Sequence, residues 1–327
     1  MNSGDLELQA LKRDGYIVLS GILSADEIEQ ARQEFERWFQ QDIESRQQNN
    51  INDPHYPNGP FGYTILTEAS HLALNVYSKS ECFDKLVDKV LSHDKIQQII
   101  KAWNGPGYKV SGINLRFMTG AFDPPPAHEL HRDHPGSMNL GIMLTDVEPG
   151  NNGATALVPG SQWSNVDPRW DCLFQKPFRL KKDPSKNGID LFLKINIFNF
   201  LFKKKSLKKM TGAFGKKGDV YFFANGEVWH GRLPNLHGQR AMICLIGVHP
   251  VDEESINTGS QIPPEILAKL PSNLAKNLNG PFEINNPENS IREHIYSNRK
   301  RLSIFSLAYW SKLERRFAEW ISARKIK

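Results

Sequence analysis

The residue types best suited to chemistry lie in the run His131-Arg132-Asp133. If this run is extended, His131 and Asp133 point to the same side, because alternate residues of a strand share a face. One imidazole nitrogen and one carboxylate oxygen could then bind the same metal ion. Two imidazoles and one carboxylate on one side of a metal leave coordination positions open, which suits Fe(II) and oxygen chemistry.

The second imidazole must come from elsewhere, and His230 is the candidate. It follows the strand-like run 218–229, so the chain can fold back toward His131. A His-x-Asp run by itself is also typical of a solvated polar loop, and here it follows three prolines, Pro124–Pro126. The order of the further residues favours the metal site over the loop.

Arg240 is a candidate for binding an anion beside that metal. It lies ten residues after His230 and opens the apolar run 241–248. A guanidinium there is predicted to point into the same cavity and to bind a dicarboxylic acid through paired hydrogen bonds. The alternative is a surface arginine, but the apolar strand that follows favours a partly buried charge that needs a partner.

The elements that would carry these residues are short strands. Apolar runs separated by Gly, Pro and Asn turns predict antiparallel strands in an all-β sandwich or barrel. The strand-like runs cover 16–20, 108–120, 138–146, 154–162, 218–224 and 240–248.

Helical patterns occupy most of the first hundred residues. Ser24 and Glu27 form a predicted capping box, in which each side chain bonds to the backbone of the other residue. Apolar residues then recur at helical spacing. They are Ile28, Ala31, Phe35, Trp38 and Phe39. A second helical region spans 81–103, the polar run 44–62 is predicted to be a loop, and 305–321 is predicted to be an amphipathic helix.

The runs 131–163 and 228–240 resemble the phytanoyl-CoA dioxygenase family, and the run 14–32 resembles the family's opening strand and helix. The likeness covers about residues 10–45 and 108–250. It implies an Fe(II)- and 2-oxoglutarate-dependent oxygenase on a double-stranded β-helix (jelly roll), mainly β, with helices added at both ends. It also implies O2 as a co-substrate and ascorbate as a reductant.

The resemblance assigns roles to individual residues. His131, Asp133 and His230 become the Fe(II) ligands and so the catalytic centre. Arg240 becomes the partner of the far carboxylate of 2-oxoglutarate, and Asn114 becomes a second contact to this co-substrate.

Two positions depart from the family pattern. Arg232 stands where many relatives have a small hydroxyl residue, and Gln162 stands where the family often has histidine. Together with His134, which follows the ligand pair, these residues are the expected substrate-binding side chains.

Length and composition bound the remaining expectations. The 327 residues, 39% of them hydrophobic, predict a single oxygenase domain. A helical region at 1–104 precedes a core at 108–250, and a helical extension covers 251–327. No apolar run is long enough to span a bilayer. The three cysteines are scattered, and the first residues lack a basic leader, so a cytoplasmic location is predicted.

A basic insertion, residues 176–217, interrupts the predicted core. It holds 13 Lys or Arg and 2 Asp, and its middle, 190–202, is mostly apolar. It is interpreted as an ordered lid with a solvated basic flank, or as a lid over a lipid-like or carrier-linked substrate whose phosphates meet the lysines. Association with a membrane surface is a third interpretation. Nucleic acid is not an expected partner, because no recognition motif is present.

These observations predict hydroxylation of a C–H bond in a small-molecule, biosynthetic or carrier/CoA-linked substrate, with release of succinate and CO2. Desaturation, epoxidation or cyclisation by the same metal centre are alternatives. A membrane-associated lipid-modifying oxygenase and a non-catalytic binding module on the same fold are two more. A hydrolytic zinc site built from His128, His131 and His230 is a weaker alternative.

Overall fold

The computed structural model describes residues 3–68, 70–118, 120, 130–149, 153–163, 208–235, 240–251, 262–280, 282 and 290–298. Three sequence predictions lie outside these residues: His128, most of the basic insertion, and the helix at 305–321.

Most helices lie before or after the central strands in the amino-acid sequence. The N-terminal ones are α1 (Ser3–Asp14), α2 (Ala25–Gln48), α3 (Glu81–Ser92) and α4 (Asp94–Asn104). After the strands come α5 (Pro264–Leu267), α6 (Ser272–Asn279) and helical residues at 291–298. Among the described residues, none of the helices combines the length and apolar character that crossing a bilayer requires.

The strands are short and distributed along the chain. In order they are β1 (Tyr16–Leu19), β2 (His55–Gly59), β3 (Gly62–Leu66), β4 (Ser70–Ala73), β5 (Tyr108–Met118), β6 (Met138–Met143), β7 (Thr155–Leu157), β8 (Thr211–Gly212), β9 (Val220–Phe223), β10 (His230–Arg232) and β11 (Ala241–Pro250).

These strands form two antiparallel sheets. The large sheet has the order β1-β9-β6-β11-β5-β4-β3-β2, and the small sheet has the order β10-β7-β8. Neighbours in the large sheet come from distant regions of the sequence, as the strand order of a jelly roll requires. The predicted fold class, a mainly β jelly roll with added helices, is confirmed.

The helices cover one face of the large sheet. The predicted apolar face of α2 is buried, and its Phe35 and Phe39 pack on Phe117 of β5 with ring centroids 6.1 and 5.3 Å apart. Strand β9 is buried along its whole length, as expected for a strand covered on both faces. The small sheet and the cavity described below therefore lie on the other face of the large sheet.

The prediction of a loop at 44–62 is wrong. Helix α2 continues to Gln48, and β2 and β3 then extend the large sheet at its edge. The polar run hides these strands because edge strands are solvated and carry few apolar residues. The N-terminal hundred residues therefore contribute both helices and strands.

A buried polar network attaches this edge to α2. The carboxylate of Asp42 accepts hydrogen bonds from Arg46 (2.8 Å), from Thr64 of β3 (3.0 Å) and from His71 of β4 (2.7 Å). Burial alone raises the pKa of Asp42, but the bonds from His71 and Arg46 outweigh it, so the pKa lies below its ordinary value. The helix and two strands thus share one buried, hydrogen-bonded cluster of polar side chains.

The capping box at the start of α2 is present as predicted. The backbone N–H of Ser24 donates to Glu27 at 3.0 Å, and that of Glu27 donates to the Ser24 hydroxyl at 3.4 Å. We expect Ser24→Ala to lower the free energy of unfolding by about 1 kcal/mol, because an amide of the first turn loses its acceptor. Urea unfolding followed by circular dichroism measures this. Ser24→Asp, which keeps an acceptor, should stay near the wild type.

Candidate metal centre

Three side chains from distant regions of the sequence converge at one end of the space between the two sheets. His131, Asp133 and His230 each offer one ligand atom, and these atoms lie within 4.8 Å of one another. The Asp133 carboxylate lies 3.7 Å from Nε2 of His131 and 3.4 Å from Nε2 of His230. Within the described residues, this set is the one group of histidine, cysteine and carboxylate donors close enough to share a metal ion.

Backbone hydrogen bonds hold the two histidines opposite each other. The N–H of His131 donates to the carbonyl of His230 at 2.9 Å, and the reverse bond is 3.0 Å long. This is an isolated antiparallel bridge and not the regular strand that the sequence predicted for the His-x-Asp run. The two rings lie side by side, with centroids 4.3 Å apart.

The tautomer of His230 suits a metal ligand. Its Nδ1 lies 3.1 Å from the carbonyl oxygen of Val228, an atom that can only accept. Nδ1 is therefore the protonated nitrogen of the neutral ring, which leaves a lone pair on Nε2, the atom facing Asp133. A carbonyl that fixes the ring in this way is a common support for metal-binding histidines.

Asp133 is held by Asn225, a residue that the sequence analysis did not single out. The Asn225 amide donates to the carboxylate at 2.6 Å, and the Asp133 N–H donates to the Asn225 carbonyl at 2.9 Å. Burial alone raises the pKa of Asp133, but hydrogen bonds with His230 and Asn225 and the nearby histidines bring the pKa well below its ordinary value. The carboxylate is thus ionised and oriented for a cation.

The turn after β9 supports the loop that carries Asp133. Glu227 is fully buried and accepts hydrogen bonds from the N–H of Gly136 at 2.9 Å and from the hydroxyl of Tyr296 at 2.7 Å. A Cβ at Gly226 would lie 2.3 Å from the carbonyl oxygen of His134. Only glycine allows this close approach, so the turn packs directly against the ligand loop.

The three ligands open into a cavity of about 680 Å³, which we call the site cavity. Both sheets line it. Its other lining residues include Arg116, Asn139, Phe223 and Leu245 from the large sheet and Thr155 and Arg232 from the small sheet. This volume lies in the range of cavities that enclose small organic ligands.

Arg240 is not among the residues that line this cavity. Its side chain is exposed, and its guanidinium carbon lies 5.9 Å from the ring centroid of Phe117, on the helix-covered side of the large sheet. Alternation of side chains along β11 explains the placement. Leu245 lines the cavity, so the even-numbered residues of this strand face the helices, and Arg240, which directly precedes the strand, lies on that side. A role for Arg240 in binding the far carboxylate of 2-oxoglutarate stays a prediction.

The structure divides the predicted substrate-binding residues. Arg232 lines the site cavity two residues after His230. Gln162 does not, because its amide donates to the carbonyls of Lys12 and Arg13 at the end of α1. His134 is exposed and is not among the lining residues. The Gln162 amide thus caps the last turn of α1, and the substrate roles expected for Arg232, Gln162 and His134 stay predictions.

Asn114 lies on the cavity side of β5, two residues from Arg116, but its side-chain oxygen is engaged elsewhere. It accepts a hydrogen bond from the N–H of Asn75 at 3.1 Å. Its contact with a co-substrate stays a prediction.

Sequence patterns did not point to Asn225, Arg116 or Thr155. Asn225 stands in the turn between β9 and the distal histidine, and a polar residue in such a turn was a usable signal. Arg116 and Thr155 carried no local signal, because a single polar residue in a strand is as often solvated as functional.

A family comparison identifies the chain. The model of the phytanoyl-CoA dioxygenase (PhyH) family matches residues 11–242. No curated protein sequence matches the chain.

Solved structures with a similar arrangement have low sequence identity to this chain. HygX from Streptomyces hygroscopicus, solved with nickel and 2-oxoglutarate, is 14% identical over 77% of this chain and 88% of its own, with a TM-score of 0.47. AviO1 from Streptomyces viridochromogenes Tue57 is 18% identical over 76% and 96%, with a TM-score of 0.45. EctD from S. alaskensis, solved with bound Fe, is 16% identical over 76% of both chains, with a TM-score of 0.46.

The family match covers more than half of the chain, including His131, Asp133 and His230, which we call the donor set. The expected cofactor chemistry follows from it: Fe(II) as the metal, with 2-oxoglutarate and O2 as co-substrates. The chain belongs to the phytanoyl-CoA dioxygenase family and is an Fe(II)- and 2-oxoglutarate-dependent oxygenase.

Proposed function

We propose that His131, Asp133 and His230 bind Fe(II) and that the enzyme hydroxylates a C–H bond of a small organic substrate, releasing succinate and CO2. One observation carries the proposal: two imidazole nitrogens and one carboxylate oxygen lie within 4.8 Å of one another at the end of a cavity. Two histidines and one carboxylate on one side of a metal suit Fe(II) with exchangeable positions.

The residues present fit that metal. The lone pair on Nε2 of His230 and the ionised, oriented carboxylate of Asp133 are the donor states that a divalent cation needs. Bound Fe(II) supplies oxygen activation, which no side chain can provide. The chain contributes the fixed ligand geometry, the support of Asp133 by Asn225, and a cavity in which the substrate is oriented.

The dimensions of the site cavity support a small-molecule substrate. A volume of about 680 Å³ accepts 2-oxoglutarate together with a portion of a modest organic molecule. A carrier- or CoA-linked substrate requires only that its reacting end enter this space while the carrier stays outside. The substrate test should therefore include candidate carboxylic acids both as free acids and as CoA thioesters. A cytoplasmic location stays a prediction.

The function is tested by turnover. We expect purified enzyme with Fe(II), 2-oxoglutarate, ascorbate and a panel of metabolites to form succinate and, in equal amount, a product that has gained one oxygen atom. Mass spectrometry measures both, and Zn(II)-loaded enzyme is the control. A product that has lost two hydrogens instead would indicate desaturation or cyclisation. Absence of succinate with every substrate would support a binding module.

A further inference from the structure

The helical residues at 291–298, which we call the 291–298 helix, lie outside the family match but contact the loops that support the metal donor set. The family match ends at residue 242. The helix begins after Ser290, whose hydroxyl accepts a hydrogen bond from the N–H of Glu293 at 3.1 Å. Its Ile295 is fully buried in the main hydrophobic core. The helix is therefore packed into the domain and has a fixed position beside these loops.

The first contact of this helix is a hydrogen bond between Tyr296 and Glu227. The Tyr296 hydroxyl donates to Oε1 of Glu227 at 2.7 Å, and the same oxygen accepts the N–H of Gly136 at 2.9 Å. Glu227 is fully buried, so water cannot replace a donor that its carboxylate loses. One carboxylate oxygen thus joins the helix to the loop that follows Asp133.

The same helix also approaches this loop directly at Gly136. A Cβ at residue 136 would lie 2.1 Å from Nη1 of Arg292, and the φ of Gly136 is +83°, so only glycine fits there. The carbonyl of Gly136 accepts a hydrogen bond from the side-chain amide of Asn104 at 3.0 Å. The loop after Asp133 is therefore held between α4 and the 291–298 helix.

The position of Glu227 is transmitted to Asp133 through the turn to which Glu227 belongs. The preceding residue, Gly226, donates its N–H to the carbonyl of Ser137 at 3.0 Å. The residue before that, Asn225, donates its side-chain amide to the Asp133 carboxylate at 2.6 Å. A displacement of Glu227 would therefore shift the donor that orients the metal ligand.

The second contact of the helix lies on the other side of the His-x-Asp run. The ring of His294 is perpendicular to that of Trp163, with centroids 5.9 Å apart. Trp163 ends the short helical turn 161–163, and the carbonyl of Ser161 in this turn accepts a hydrogen bond from Arg132 at 2.7 Å. Arg132 is the middle residue of the His-x-Asp run, so the helix contacts supporting elements on both of its sides.

We propose that Tyr296 is a positioning residue for the metal centre, acting through Glu227 on the loop and the turn that hold Asp133. Tyr296 belongs neither to the donor set nor to the residues that line the site cavity. Its effect on a bound metal must therefore pass through Glu227. A ligand that is not held in place must be ordered when the metal binds, which lowers the affinity. This inference rests on the proposed function.

The test is Tyr296→Phe in the full chain, which removes only the hydroxyl. We expect the Kd for Fe(II), measured by anaerobic equilibrium dialysis, to rise about 3- to 10-fold, less than for a residue that bonds a ligand directly. At saturating Co(II), whose visible absorption depends on ligand geometry, the spectrum should shift. Glu227→Gln weakens the acceptor of the same hydrogen bond and should change both measurements in the same direction.

A double variant separates positioning from general packing. In the Asn225→Ala background Asp133 has already lost its donor, so adding Tyr296→Phe should raise the Kd for Fe(II) by less than about twofold. A role in packing alone would leave the two effects independent. A Tyr296→Phe effect that is as large in this background as in the wild type would overturn the inference.

Tyr56→Phe is the matched control. The Tyr56 hydroxyl lies 3.2 Å from the Ser45 hydroxyl, and Tyr56 belongs to β2 at the edge of the large sheet. This variant loses an equivalent hydroxyl and should keep the wild-type Kd and Co(II) spectrum. The inference also fails if Tyr296→Phe matches this control. If the wild type binds no Fe(II), the proposed function fails and this inference with it. Circular dichroism verifies that each variant retains the fold.

Discussion

Asp133→Ala should abolish substrate-dependent succinate formation and weaken Fe(II) binding by more than about 100-fold. The replacement removes one of three ligand atoms and the negative charge that faces both imidazoles. Loss of a residue that merely supports a ligand costs about 10- to 100-fold in metal affinity, so loss of the ligand itself should cost more. Anaerobic equilibrium dialysis measures the affinity, and mass spectrometry measures the succinate.

The matched control for this prediction is Glu68→Gln. Glu68 is a second carboxylate that lines the site cavity, but it does not belong to the donor set. Its removal should leave Fe(II) affinity unchanged, which separates ligation from the general negative charge of the cavity. Equal losses in the two variants, or retained Fe(II) binding in Asp133→Ala, would contradict the assignment of Asp133 as a ligand.

Asn225→Ala tests the support of Asp133 and should have a smaller effect on Fe(II) binding than Asp133→Ala. Asn225 positions the carboxylate through its 2.6 Å hydrogen bond and does not itself belong to the donor set. We therefore expect Fe(II) affinity to fall about 10- to 100-fold and to recover when Fe(II) is raised to saturation. A full loss that excess metal does not reverse would indicate that the turn after β9 had collapsed.

Asp42→Asn should lower the free energy of unfolding by about 3–5 kcal/mol. Its carboxylate is 1% exposed and faces the equally buried Arg46, so the substitution leaves a buried guanidinium without its counter-charge. It also weakens the acceptor of the hydrogen bonds from Thr64 and His71, through which α2 holds β3 and β4. Urea unfolding followed by tryptophan fluorescence measures the change.

An exposed ion pair provides the comparison. Glu81 and Lys85 of α3 form a salt bridge at 2.6 Å, but both side chains are largely in water. Glu81→Gln should produce no measurable change, because solvent already satisfies both charges. If Asp42→Asn were as mild as this control, the buried network would not be what attaches β2–β4 to the helix.

The consequence of this network extends to the site. Ser70 and Leu72 of β4 line the cavity, and β4 pairs directly with β5, the strand of Arg116. Loosening β3 and β4 should therefore widen the cavity along β4. Stability and turnover should fall together in Asp42→Asn, whereas Asp133→Ala should remove Fe(II) binding and turnover without lowering stability.

Sequence patterns indicated the candidate metal ligands and several strands of the large sheet. Apolar runs bounded by Gly, Pro and Asn turns predicted β5, β6, β9 and β11, because these turn signals are local in the sequence. The capping box before α2 was equally readable, since its partners stand three residues apart. Residue chemistry suggested His131, Asp133 and His230 as metal-binding candidates, and the resemblance to the family assigned them as Fe(II) ligands.

Which arginine lines the cavity depends on how the strands pair in the folded protein. The face on which a residue of β11 lies depends on the register in which β11 pairs with β5 and β6. The sequence after His230 does not reveal this register, because the conformation of the connecting turn is not known from the sequence. That register turns Arg240 away from the site and leaves Arg116 inside it. The bond from Asn225 to Asp133 spans 92 residues, and the link from Asp42 to His71 spans 29. Contacts between residues this far apart in the chain form only on folding, so no periodic pattern in the sequence reveals them.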